Sequence, residues 1–441
     1  MATRPPTFRL TLLALALLTG CSGCGETAQL VARQDTGPDP VLAEPATSLI
    51  PTVKVATAIG WPAGVTPTAA AGFKVNAFAT GLVHPRWVYV LPNGDVLVAE
   101  TNRPATPDPP ANPLRGAAMK SAFEKAGAAV PSPNRITLLR DGDGDGVAET
   151  KAVFLQDLVS PFGMALVGDR FYVANADAIV HVPYRSGETS ITAIPVKLAD
   201  LPGAPRNHHW TKSLVANADG SKLYVGVGSN SNIGENGMDV EVGRAAIHEI
   251  DTATGAGRVY ASGLRNPVGL DWQGGTLWTV VNERDELGSD LVPDYLTSVR
   301  PGAFYGWPYS YYGAHMDTRV EPQDPQKVAA AIKPDYALGS HVAPLGLAFY
   351  DGTLLPARYR GGAFIGLHGS WNRDPPNGYR VVFVPFAGGR PQGAIEDVLV
   401  DFLDGQGNAR GRPVGVAVDA RGAVLVADDV GNTIWRVTPA K

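Results

Sequence analysis

Three short stretches concentrate side chains able to do proton and charge chemistry. Asn207-His208-His209-Trp210 sets two imidazoles beside an indole in a chain with only 8 His. A neutral imidazole accepts a proton from an alcohol readily, because its unperturbed pKa of about 6.5 lies in the working range. His209 is therefore a candidate general base; the competing reading is a pair of strand-end caps. Gly263-Leu264-Arg265-Asn266-Pro267 supplies an Arg and an Asn at the start of an apolar run, fixed donors suited to carbonyl or carboxylate oxygens. Asn282-Glu283-Arg284-Asp285-Glu286 then groups three carboxylates. Such a group suits a hard cation such as Ca²⁺, which takes roughly six to eight oxygens, or equally a solvated acidic turn.

A separate acidic stretch, Asp141-Gly142-Asp143-Gly144-Asp145-Gly146-Val147-Ala148-Glu149, has carboxylates at alternate positions and Gly at the sixth, as a calcium loop requires for its sharp turn. The twelfth position is Ala152, so Glu149 has to supply the bidentate ligand. Asp141, Asp143, Asp145 and Glu149 are the expected structural Ca²⁺ ligands, against the plainer reading of an acidic β-turn. Trp307, Tyr309, Tyr311 and Tyr312 can stack on a sugar or cofactor ring or pack onto their own sheet, with Trp307 the candidate for ligand contact. His315, His341 and His368 lie far apart in sequence and read as separate structural or channel-lining residues.

The elements that must position these groups repeat. Six times a loop carrying Pro or His leads into an apolar step with Gly, a tight polar turn and a run of β-formers. The copies are Arg86–Glu100, Pro161–Asn175, His209–Gly228, Pro267–Glu283, Pro344–Ser370 and Pro413–Asp428. Asn93-Gly94, Asp219-Gly220, Gly274-Gly275 and Arg421-Gly422 occupy the turn, where a hairpin needs positive φ. One such hairpin cannot bury its own apolar face and requires neighbours on both sides, so the chain reads as all-β, a six-bladed β-propeller of four-stranded antiparallel blades. Each copy is the inner hairpin of a blade, and the longest intervals lie over one face of the disc, where propellers bind ligands.

The formal charge is −5 and there is no basic stripe, so nucleic acid is not an expected partner. No Gly-rich phosphate cradle follows a strand and opens a helix, which disfavours nicotinamide or nucleotide use. Arg4 and Arg9 precede the short apolar run Leu10–Leu18, the pattern of an export signal over residues 1–20. Leu18-Thr19-Gly20-Cys21 resembles the lipobox of bacterial lipoproteins, implying a lipid anchor at Cys21 and a periplasmic, membrane-attached location in the cell envelope. The 2 cysteines, Cys21 and Cys24, both fall here, so no disulfide braces the rest. Residues 21–65, rich in Ala, Thr and Pro, read as a tether, and 66–441 as the propeller.

In their order, His209 with Leu214, then Gly226-Val227-Gly228-Ser229, then Gly263-x-Arg265-Asn266-Pro267-x-Gly269-Leu270, then Tyr305-Gly306-Trp307-Pro308, resemble the glucose/sorbosone dehydrogenase family. The likeness runs from about Ala71 onward. His368-Gly369-Ser370-Trp371-Asn372-Arg373 and Gly411-Arg412-Pro413-Val414-Gly415 look nearer to the L-sorbosone dehydrogenase branch. The resemblance implies a propeller enzyme using pyrroloquinoline quinone and Ca²⁺ to oxidise a sugar or sugar-derived aldehyde and passing electrons to a membrane acceptor. It makes His209 the base for the C1 hydroxyl, and sets Arg265 and Asn266 on the quinone oxygens and Arg412 on a cofactor carboxylate. Arg284 and Trp307 join the cofactor site, with a metal at Asp285 and Glu286. Ser229 stands where the glucose enzymes carry an Asp beside the base, Asp285-Glu286 where they carry Gly-Pro, and no Lys occupies the clamping position, where His368 or Arg373 is available. Two other functions fit the same fold: a Ca²⁺-dependent lactonase-type hydrolase, and a non-catalytic lipoprotein that binds saccharide or protein.

Overall fold

Asn93-Gly94 and Gly274-Gly275 turn back on themselves because their glycines take φ of +91°, +56° and +77°, values open to a residue without a Cβ. Several strands of the inner hairpins are buried along their whole length instead of alternating. Val96–Glu100 and Pro344–Phe349 have no exposed residue, as expected for strands covered by a sheet on both faces. A computed structural model describes residues 26–46, 52–104, 113–204 and 206–440 and shows six antiparallel sheets of four or five strands, besides two two-stranded ribbons.

Blade one is built from Pro85–Val90, Val96–Glu100, Arg135–Arg140 and Thr150–Leu155; blade two from Met164–Val167, Arg170–Ala174, Ala178–Pro183 and Val196–Asp200. Leu214–Ala216, Lys222–Val227, Ala246–Asp251 and Gly257–Ser262 form blade three. Blade four contains Asn266–Gln273, Thr276–Asn282, Pro293–Val299 and Tyr336–Ser340, and blade five Pro344–Phe349, Ala363–Leu367, Arg380–Val384 and Glu396–Val400. Pro413–Val418, Val424–Asp428 and Thr433–Pro439 are joined by Phe73–Ala79 from the other end of the chain to close blade six. All six repeats noted in the sequence are inner hairpins, and the six-bladed propeller is the architecture.

Neighbouring blades press apolar faces together. Trp278, Val280 and Leu296 of blade four meet Leu347, Phe349, Ile365 and Val382 of blade five in one buried cluster. Because each innermost strand starts at the same end of the disc, the residues entering it are gathered at one mouth of the channel. So are the residues that leave the second strand.

The stretch expected to be a tether does not hang free where it is described. Ala28 N–H donates to the Asp374 carbonyl at 2.7 Å, Leu30 N–H to Asp290 Oδ2 at 2.9 Å and Ala46 N–H to the Leu287 carbonyl at 3.0 Å. Thr36–Gly37 adds a fifth strand to blade four. Trp61 reaches the closing blade and donates to Asp428 Oδ2 at 2.7 Å. The segment is a strap laid across the blades, because its backbone groups find partners on loops more than two hundred residues away along the chain. The export signal and Cys21 lie outside the described residues.

Candidate active site at the channel mouth

His209 lies just before blade three and is half-buried. Its Nδ1 is 2.8 Å from the Ser229 carbonyl oxygen and 3.1 Å from Ser229 Oγ. A carbonyl can only accept, so Nδ1 carries the proton and Nε2 keeps its lone pair. The main chain of Ser229 thus sets the tautomer, a task the sequence reading had looked for in a side chain. Burial, with smaller contributions from His208 and Arg265, holds the imidazole well below its usual range, so it is neutral at physiological pH. Asn266, the first residue of blade four's inner strand, lies close by: a Cβ on Gly228 would run into both Asn266 Oδ1 and the His209 Cβ. Asn266 Oδ1 is buried and has no hydrogen-bond partner among the described residues.

Arg265 is buried behind this pair and fully engaged in shaping the mouth. It donates to the Asn232 carbonyl at 3.2 Å and Asn232 Oδ1 at 3.1 Å, to the Glu283 carbonyl at 2.5 Å and to Asp285 Oδ2 at 3.0 Å. Asp285 Oδ1 accepts from Asn372 Nδ2 at 2.7 Å and faces His341 Nδ1 at 3.6 Å. Burial alone would raise the Asp285 carboxyl, but Arg265 and His341 outweigh it and the group is held below its ordinary value. His341 is correspondingly raised: burial works against its charge, and Asp285 overrides it.

Several residues assigned from sequence to this site do other work. Glu286, at φ +71°, is exposed, while both Asp285 oxygens are occupied by Arg265 and Asn372, so the pair does not converge on a metal. Arg284 is wholly buried and donates to the Pro308 carbonyl at 2.8 Å, to Asp317 Oδ2 at 2.9 Å and to the Ser310 carbonyl. It fastens a loop and cannot touch a cofactor. Trp307 is 3% exposed, with its indole N–H donating to the Asn232 carbonyl at 2.8 Å, and offers no open ring face. The resemblance implies cofactor or metal contact for all four; the course of each loop decides which side its residues take.

The other side of the mouth is built from blades one, five and six. Arg412 is buried over the Tyr379 ring at 5.2 Å and donates to its hydroxyl at 3.1 Å. Arg86 donates to Asp429 Oδ2 at 2.5 Å, and its guanidinium carbon lies 5.9 Å from the Trp210 ring centroid, next to His209. His368 Nε2 is 2.9 Å from the same carboxylate. Burial opposes charge on Asp429, yet His368 and Arg86 keep it anionic. The Nε atoms of both Arg86 and Arg412 are buried without a partner among the described residues. Two guanidinium groups against one carboxylate leave an excess of positive charge and two unmet donors, an arrangement that calls for a carboxylate-bearing ligand. Arg86, Asp429 and Asn372 were not singled out as ligand-site residues from the sequence, and His341 was read only as one of three separate structural or channel-lining histidines. The signal was there in the repeats: Arg86 opens the first copy where His209 opens the third.

The acidic stretch comes together on the opposite face, following the blade-one strand that runs away from the mouth. Oxygens of Asp141, Asp143, Asp145 and Glu149 all lie within 4.8 Å of one another. Asp141 also accepts from Gly144 N–H at 2.6 Å, and Arg421 of the blade-six hairpin donates to the Gly144 carbonyl at 2.5 Å.

A family model described as Glucose / Sorbosone dehydrogenase matches residues 170–369 of this chain, and one described as TrAA12-like matches residues 312–440. Residues 170–369 are thus similar to the glucose/sorbosone dehydrogenases. Among curated relatives, an uncharacterised Borreliella burgdorferi protein is 28% identical over 70% of this chain and 86% of its own length. A pyrroloquinoline quinone-dependent pyranose dehydrogenase of Coprinopsis cinerea is 24% identical over 82% of this chain, which spans 53% of that protein. The chain thus covers about half the length of that dehydrogenase. The holo quinone domain of the Coprinopsis cinerea enzyme superposes with a TM-score of 0.67 at 22% identity, covering 87% of this chain and all of that domain. A calcium structure of a Trichoderma reesei family AA12 enzyme gives 0.67 at 20%, covering 85% and 97%. A quinone-bound aldose sugar dehydrogenase from Streptomyces coelicolor gives 0.53 at 18%, covering 85% and 100%. At these identities the solved structures of sugar dehydrogenases establish the shared propeller.

Proposed function

We propose that this protein is a pyrroloquinoline quinone-dependent dehydrogenase that oxidises a sugar or sugar-derived aldehyde, aldose or sorbosone-like. One observation carries the reading: Arg86 and Arg412 present buried, unsatisfied Nε–H groups at the channel mouth, on the same rim as a neutral His209 whose Nε2 is a proton acceptor. These residues fit an aromatic polycarboxylate. Arg412 and Arg86 would hold its carboxylates, and Asn266 would lie at its polar edge.

When bound, the quinone supplies a two-electron acceptor for the hydrogen leaving the sugar carbon. The chain's own part is to bind, orient and move one proton. His209 Nε2 accepts the proton of the substrate hydroxyl, or of the hydrate of an aldehyde, while the Ser229 carbonyl holds Nδ1–H and keeps the ring from turning. The Arg265–Asp285 pair is rigid and fully bonded, so it holds the rim without collapsing into the mouth.

The lipobox-like motif supports attachment of the protein to the envelope membrane through Cys21, on the periplasmic side, with a membrane component taking the electrons. Asp141, Asp143, Asp145 and Glu149 would hold a structural calcium. A lactonase would need free carboxylates around the channel, whereas Asp285 and Asp429 are both committed to cations, so the dehydrogenase reading is preferred.

The test is a titration of the purified protein, strap included, with the quinone in the presence and absence of Ca²⁺, followed by addition of aldoses and aldehydes. Saturable binding and substrate-driven bleaching of the quinone absorbance are expected. Absence of binding at roughly tens of micromolar, weaker than about −7 kcal/mol, would leave a propeller without this redox chemistry.

A further inference from the structure

Two cations lie behind the loop that carries His209, and neither forms an ion pair among the described residues. Lys212 is wholly buried. Its ammonium donates to Asn207 Oδ1 and to the Trp210 carbonyl, each at 3.1 Å, and to the His209 carbonyl at 3.4 Å. Arg244, also buried, donates to the Gly228 carbonyl at 3.1 Å, to the carbonyls of Pro202 and Arg206 at 2.9 Å each, and to Asn207 Oδ1 at 3.1 Å. Asn207 in turn donates to the Ala176 carbonyl of blade two at 2.8 Å.

Burying charge without a counter-ion is disfavoured, and two like charges sharing one amide oxygen more so. Burial and the proximity of Arg244 accordingly push the Lys212 ammonium well below its usual range. A turn that needed only to be packed would be satisfied by water or by apolar side chains. What the two cations touch explains their presence: the carbonyls of Arg206, His209 and Trp210 lie on the loop carrying the imidazole, and that of Gly228 on the strand end whose next residue, Ser229, fixes Nδ1. Together they set the gap across which the His209–Ser229 hydrogen bond forms.

We propose that Lys212 and Arg244 are positioning residues for His209, clamping the main chain on both sides of the imidazole so that it keeps the Nδ1–H tautomer with Nε2 available. The proposal rests on His209 being the proton acceptor of the dehydrogenase reading. A misplacement of about 1 Å is enough to cost on the order of a hundredfold in rate.

The experiment is ¹⁵N NMR of histidine-labelled apoprotein, comparing wild type with Lys212→Met, which keeps the length of the stem and removes the donors. Wild-type His209 should show a single Nδ1–H tautomer. Lys212→Met should show a mixture and, once loaded with quinone, a kcat lower by about tenfold or more, with KM and quinone affinity within about threefold. A folded Lys212→Met protein with the wild-type tautomer and rate overturns the proposal, as does a loss confined to thermal stability. Should Lys212→Met not fold, Arg244→Lys takes its place: a single ammonium cannot span the Gly228 and Pro202 carbonyls, and the same change in tautomer is expected; its absence overturns the clamp equally. A wild-type protein without quinone-dependent turnover would sink the dehydrogenase reading while the tautomer comparison still decides the clamp.

Discussion

Removing Arg412 and removing Arg86 should have opposite consequences for the protein without ligand and similar ones for ligand binding. Arg412 touches only neutral partners, Tyr379 and its ring, and leaves Nε unsatisfied. A buried donor without a partner costs about 1–3 kcal/mol, so Arg412→Gln relieves that penalty and apoprotein stability should be unchanged or slightly higher. Arg86 is the closest cation to a buried Asp429, so Arg86→Gln strands a carboxylate faced only by the imidazoles of His368 and His84. Breaking a buried pair on one side costs about 3–5 kcal/mol. Each guanidinium should contribute a charge-assisted bond to the quinone worth about 1.5–3 kcal/mol, or roughly ten- to hundredfold in Kd. Thermal unfolding of the apoproteins and quinone titration followed by absorbance measure the two effects separately. If Arg412→Gln binds quinone as tightly as wild type, the orphaned donors are not a carboxylate clamp and the functional reading loses its main support.

Four other outcomes follow from the same geometry. His209→Asn should keep quinone affinity within about threefold and lower turnover on the order of a hundredfold or more, measured by substrate-driven bleaching; equal rates would remove it as the base. Since its environment depresses the His209 pKa, the base stays deprotonated as pH falls through 6.5 and activity is lost only in more acid solution; a kcat/KM profile with its acid limb at or above pH 6.5 contradicts this. Deleting residues 26–46 should lower both the melting temperature and quinone affinity, because the strap bonds Asp290, Leu287 and Asp374 beside the site; a truncated protein that binds normally would make the strap a passive tether. Calcium should stabilise the fold through Asp141, Asp143 and Asp145 by about 2.7 kcal/mol at a hundredfold excess over Kd, read as a higher melting temperature, and Asp143→Asn should abolish that increment while leaving quinone affinity alone. A calcium effect that survives the substitution would place the ion elsewhere.

The fold was legible because each blade repeats one hairpin, and a repeated hairpin with apolar runs on both sides of a glycine turn has few ways to bury itself. Of the candidate site residues, those at the entry to an inner strand, His209, Arg265, Asn266 and Arg412, are the ones the fold brings to one mouth. The site was not legible where a loop had to be followed through space. Arg284 and Asp285 are adjacent, yet one is buried against Asp317 and Ser310 and the other lines the rim with Arg265. Glu286 turns to solvent at a positive φ that no sequence rule for Glu would suggest. Asp429 and His368 each come one residue after a second strand, Val424–Asp428 and Ala363–Leu367. His368 was already a candidate for the clamping position; Asp429 and Arg86 are marked by the phase of the six copies and by no motif of their own.

The clasp in blade six governs when this protein can exist at all. Phe73–Ala79 pairs with Thr433–Pro439, so the ring shuts only by joining stretches from nearly opposite ends of the polypeptide. Contacts of such long range slow folding, since the entropy of closing the loop is spent before any of its reward arrives. Until the final strand has left the ribosome, five blades have an open side and the sixth has no partner for its first-made strand. The same clasp then makes the finished ring hard to unravel from either end, because peeling one terminus must also release the other.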